Sequence, residues 1–167
     1  MKEKIQVQMT KKALFDFMLY HTYSKLSGFL TNILGVAVGF IGIILFFTEK
    51  ISIFTLLFYI VAMVIFVGYT PVLIYYRAHK QMMRLDIYKN MVEYTFDESN
   101  GITVLQDKTS VHYDWSQFEK VVVTPKTIGI YYGTDQAFII PKEDFSNCFV
   151  PIMNMVMFHI RPRKNMR

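Results

Sequence analysis

"LSGFLTNILGVAVGFIGIILFFT" (Leu26–Thr48) and "ISIFTLLFYIVAMVIFVGYTPVLIYY" (Ile51–Tyr76) are parted only by Glu49 and Lys50. The first run has 23 residues and the second 26, with no charged side chain in either. At about 1.5 Å per helical residue, each outruns the ~30 Å hydrocarbon core of a bilayer. So short a link makes the two helices antiparallel neighbours. A chain of 167 residues can hardly bury two such helices on all sides, so the reading is a transmembrane hairpin. No small-x-small cleavage site closes the first run, and patterned residues precede it, so it reads as a span rather than a signal peptide.

Charge orients the hairpin. Lys2, Lys4, Lys11, Lys12 and Lys25 precede the first span, and Arg77, Lys80, Arg84 and Lys89 follow the second. The connecting loop has one lysine, so both termini are expected in the cytoplasm. Gly28, Gly35, Gly39 and Gly42 share one face of the first span, where bare backbone allows close helix approach. That face is expected to receive the second span, with homodimerisation as the other use. Pro71 lacks the amide that would bond back toward Val67, so a kink is expected there. Neither span carries an acid, a base or a histidine, which argues against a transporter or channel. The lone cysteine, Cys148, forms no disulfide framework and suits a reducing compartment.

Outside the spans the periodicity changes. "KIQVQM" (Lys4–Met9) alternates as a strand, and Thr10 can cap a helix from Lys11 to Lys25 in which Lys12 and Asp16 pair. Arg77–Asn90 is expected to prolong the second helix as a basic stalk. From Met91 the period is two: Val92–Phe96, Ile102–Leu105, Thr109–Trp115, Phe118–Thr124, Thr127–Tyr132 and Gln136–Ile140 read as six short antiparallel strands. A helix follows from about Cys148 to Ile160, with Phe149, Ile152, Met153 and Val156 on one face. This predicts a membrane α+β protein, its small antiparallel β-sheet domain closed by the C-terminal helix as in a pleckstrin-homology-like half-barrel. Trp115, on a strand face with Val111 and Tyr113, is expected to plug the core with its indole N–H on a backbone carbonyl. A ligand platform is the other use of such a ring. Phe118, Phe145 and Phe149 complete the expected domain core.

Two spans followed by "YTFDESNGI", "YDWSQFEKVVVTPKTIGIYY" and "AFIIPKEDF" resemble the YcxB-like proteins of bacteria. The resemblance implies an inner-facing domain on a helical hairpin. It brings no enzyme activity, cofactor or catalytic residues to carry over.

Catalytic signatures are absent. His21, His79, His112 and His159 stand at no metal-ligand spacing, and no phosphate loop, GxSxG or HExxH occurs. No cofactor, metal or catalytic residue is therefore expected. Residues 1–91 hold ten Lys/Arg against four Asp/Glu, a balance of +6, whereas residues 92–160 hold four against nine, a balance of −5. An acidic domain does not suit nucleic acid. Arg77, Lys80 and Arg84, with Arg161, Arg163, Lys164 and Arg167 of the tail, are expected to meet anionic lipid headgroups. The expected order is a strand and amphipathic helix (1–25), two spans (26–48 and 51–76), a stalk (77–90), the sheet domain (91–160) and a basic tail (161–167). The functional expectation is a non-enzymatic adaptor in the cell membrane that binds an unidentified protein or its own copy. The alternative is an immunity protein whose glycine face caps a membrane-acting toxin.

Overall fold

The computed structural model describes residues 1–85, 88, 90–133 and 136–160. Arg161, Arg163, Lys164 and Arg167 lie outside the described residues. The chain divides into two compact units, Met1–Phe17 with His79–Arg167, and Met18–Ala78.

The second unit is built around two long helices. With α1 covering Lys11–Ser24, the first long helix, α2, covers Leu26–Phe47 and the next, α3, covers Ile53–Arg84. Both are long and apolar enough to cross a membrane. Their side chains point outward: Phe54 is 81% exposed and Phe47 80%. In water such a surface is strongly unfavourable. α2 ends in a Schellman turn. The Lys50 N–H reaches the Leu45 carbonyl and the Glu49 N–H the Phe46 carbonyl, both at 3.0 Å, with Glu49 at φ 56°. Ser52 then opens α3, its hydroxyl 3.4 Å from the Thr55 N–H. The helix continues through Pro71 and reaches Arg84.

Gly35, Gly39 and Gly42 meet α3. A Cβ at Gly35 would lie 2.7 Å from that of Phe66, and Cβ atoms at Gly39 and Gly42 would strike Met63 and Tyr59. Rising numbers on α2 meet falling numbers on α3, so the pair is antiparallel. Gly28 meets a different neighbour. A Cβ there would run into the backbone carbonyl of Thr22, because this glycine lies at the α1–α2 bend and not along the helix pair.

In the first unit, β1 (Lys2–Val7), β2 (Val92–Asp97), β3 (Gly101–Gln106) and β4 (Thr109–Tyr113) form one antiparallel sheet in that order. A second sheet holds β5 (Lys120–Val123), β6 (Thr127–Tyr131) and β7 (Ala137–Pro141). The single sheet expected from periodicity is thus two. β1 pairs along its whole length with β2, from Lys2↔Asp97 to Val7↔Val92. The Lys4 ammonium caps that pairing 2.7 Å from the Glu93 carboxylate. Residues 8–91 are therefore an insertion between two neighbouring strands.

Two local features correct the reading of the β4 region. The strand ends at Tyr113, and Trp115 lies on a one-turn 3-10 helix, Trp115–Gln117. A capping box stops the strand: the Asp114 N–H donates to Gln117 Oε1 at 3.1 Å. The closing helix, α4 (Phe149–His159), buries Ile152, Met155 and Val156 against both sheets. Phe149 sits at its rim, 36% exposed and edge-on to Phe145, so it is not a core residue. α1 starts as expected, with the Ala13 N–H 3.2 Å from Thr10 Oγ1. Asp16 does not pair with Lys12. Its carboxylate accepts from the Thr124 hydroxyl and the Lys126 N–H, pinning α1 to the β5–β6 turn. Phe17 then covers Gly129, where a side chain would collide with its ring.

Candidate functional site

Trp115 behaves as a core residue. It is 9% exposed, and its indole N–H donates to the backbone carbonyls of Asp97 at 2.9 Å and Glu98 at 3.2 Å. Its ring stacks on His159 with centroids 4.7 Å apart and planes 6° from parallel. Phe118 lies beside it, ring centroids 5.9 Å apart, and Phe145 is buried in the same core. The core is filled around this ring.

The other end is open. The inward positions of the first sheet are Glu3, Ile5 and Val7; Val92, Tyr94 and Phe96; Ile102, Val104 and Gln106; and Thr109, Val111 and Tyr113. α4 covers Phe96 and Ile102, but toward the β3–β4 turn the inner face is uncovered, and Val111 is 44% exposed. A cleft of about 570 Å³ results, a size suited to a small ligand or a few side chains. Its floor is a cluster of rings around Phe138. Tyr94, Tyr113 and Tyr132 lie 5.5, 5.0 and 4.6 Å from it, centroid to centroid. Its rim is amide and hydroxyl: Asn90, Gln106, Thr109 and Gln136.

The electrostatics are those of a neutral cleft. Burial, and then the neighbouring phenols Tyr132, Tyr88 and Tyr113, pushes the Tyr94 hydroxyl far above its ordinary pKa. Burial raises Tyr88, and raises Tyr132 with help from Tyr113 and Tyr88. All stay protonated near neutral pH. Among the described lining residues Asp107 alone is charged, and its carboxylate accepts from the Asn90 amide at 3.2 Å. No lysine or arginine is among those described residues. The cleft therefore suits uncharged or weakly cationic groups that stack on rings and exchange hydrogen bonds with amides.

The Cys148 thiol is held protonated, first by its hydrogen bond to the Glu3 carboxylate and then by burial, the opposite of an activated nucleophile. His112 bonds Thr103 Oγ1 at 3.0 Å and approaches Asp114 at 3.4 Å on the outer face. Among the described residues no three His, Cys, Asp or Glu groups could hold a metal. Arg77, Lys80 and Arg84 are all exposed near the end of α3, spaced three and four apart. Periodicity missed the cleft, although one signal was available. Gln106 and Thr109 are polar residues at inward positions, the pattern of a sheet end left unfilled.

Residues 98–147 match the model of a family described as YcxB-like protein. The matched segment runs from the β2–β3 turn past β7, and so holds most of the cleft wall. No curated protein and no solved structure matches significantly.

Proposed function

We propose that this chain is a non-enzymatic, membrane-anchored binding protein in which α2 and α3 span the bilayer and a pleckstrin-homology-like half-barrel holds a protein partner at its open end. The neutral, ring-floored cleft carries this reading. It is large enough for a few side chains of a partner, and among the described residues no group of three metal ligands occurs. Seven strands in two sheets with a C-terminal helix over one end support the half-barrel. The β1–β2 pairing supports two crossings: strands flanking the hairpin pair only if the chain returns to the side it left. The nine Lys/Arg flanking those ends, against one in the loop, favour the cytoplasm as that side. The immunity reading has less support, because Gly35, Gly39 and Gly42 already face α3.

A photoreactive side chain at Gln106, which lines the cleft, should crosslink to a partner in intact cells, whereas one at Leu105 on the opposite face should not. Val104→Trp, which fills the cleft from its β3 wall, should abolish the Gln106 adduct. Equal adducts at both positions, or adducts unaffected by Val104→Trp, would refute the cleft as the binding site.

A further inference from the structure

β4 is the outer strand of its sheet, and no described strand pairs with its other edge. It pairs with β3 from Gln106↔Thr109 to Ile102↔Tyr113 across a two-residue turn. In such a hairpin the residues flanking the turn form a hydrogen-bonded pair. By alternation Thr109, Val111 and Tyr113 direct their N–H and C=O groups to β3, and Ser110 and His112 direct theirs to the free edge. The strand is TSVHY, exposed over its first four residues. It has no lysine, proline or bulge of the kind that blunts an edge.

We propose that this edge pairs with β4 of a second copy, antiparallel, about a twofold axis through Val111. Hydrogen bonding requires edge-directed residues on both strands, which leaves few registers. The one centred on Val111 overlaps all five residues and sets Ser110 opposite His112 of the second copy, twice over. It also sets the turn residue Lys108 opposite Asp114 of the second copy at both ends. Asp114 is suitably disposed: its backbone is still extended (φ −69°, ψ 151°) and its side chain is 69% exposed. Val111 meets its own image at the non-hydrogen-bonded centre, where the strands lie closest. Two four-stranded sheets become one of eight, and the inward residues Thr109, Val111 and Tyr113 join the walls of two clefts.

A five-residue strand pair buries much less than a standard interface of about 1,200–2,000 Å². Chains anchored in one membrane hold each other at high effective concentration, which compensates. The pairing does not depend on what occupies the cleft.

The test uses the full chain in membranes, with Cys148→Ser and one new cysteine at a time. Under mild oxidation Val111→Cys should give a reducible dimer, roughly ten-fold more than Ser110→Cys or His112→Cys, because only position 111 faces its own image. Adding Lys108→Glu, which opposes Asp114 with a like charge, should lower the Val111→Cys yield several-fold. Unchanged Trp115 emission in each variant shows that the domain is folded. A folded Val111→Cys variant that stays monomeric would overturn the proposal. So would equal yields at 110, 111 and 112, a yield indifferent to Lys108→Glu, or a position-111 disulfide to a different polypeptide.

Discussion

Trp115 is held at both ends, by two carbonyls at its N–H and by the His159 ring on its face. Trp115→Phe keeps a ring but removes the N–H that the Asp97 and Glu98 carbonyls share, and should cost about 1–3 kcal/mol in urea unfolding. Trp115→Ala adds a cavity and should cost about 3–5 kcal/mol. If Trp115→Phe were neutral, the hydrogen bonds would not be stabilising. Tyr94 has a pH signature. Folding raises its pKa, so the native state keeps a proton that the unfolded chain releases above its ordinary value near 10. The stability that Tyr94 contributes is complete below about pH 10 and is lost as the pH climbs toward the folded pKa. Melting curves between pH 8 and 11 should show this fall, and Tyr94→Phe should flatten it. An unchanged slope in Tyr94→Phe would assign the loss to other groups.

Elements were legible where one rule governs them. Hydropathy marked α2 and α3, and alternation marked the strands after Met91, because burial on one side imposes period two. The glycine face was legible too, apart from Gly28, whose neighbour comes from a bend that spacing does not encode. The break after Tyr113 was not, since alternation reads straight on to Trp115 while the Asp114–Gln117 cap ends the strand. The cleft was hidden for a different reason: it is defined by what α4 leaves uncovered, a packing outcome with no local sequence signature beyond Gln106 and Thr109. At this scale Glu49 is a useful test. It occupies a left-handed position that costs a residue with a Cβ about 1 kcal/mol, so Glu49→Gly should stabilise the hairpin by that order in detergent unfolding. Gly39→Leu should do the opposite, because its side chain collides with Met63; a stable Gly39→Leu variant would mean that the helices part there easily.

At the scale of the molecule, the sheet is assembled from both ends of the chain. A fragment of residues 88–160 lacks β1, exposing one edge of β2 and removing Ile5 and Val7 from the core. It should show little native sheet by circular dichroism, and a peptide of residues 1–9 should restore it; a fragment that folds alone would make β1 dispensable. The split strand also sets an order of events. β1 leaves the ribosome well before its partner, which appears some ninety residues later, at about 5–20 residues per second a delay of several seconds or more. During that wait the two apolar helices must find their place. If only one of them crosses the bilayer, β1 and β2 finish on opposite faces and the sheet can never close. On the proposed two-span reading, a folded sheet therefore requires an even number of crossings, and a chain that errs is left with β1 and β2 unpaired.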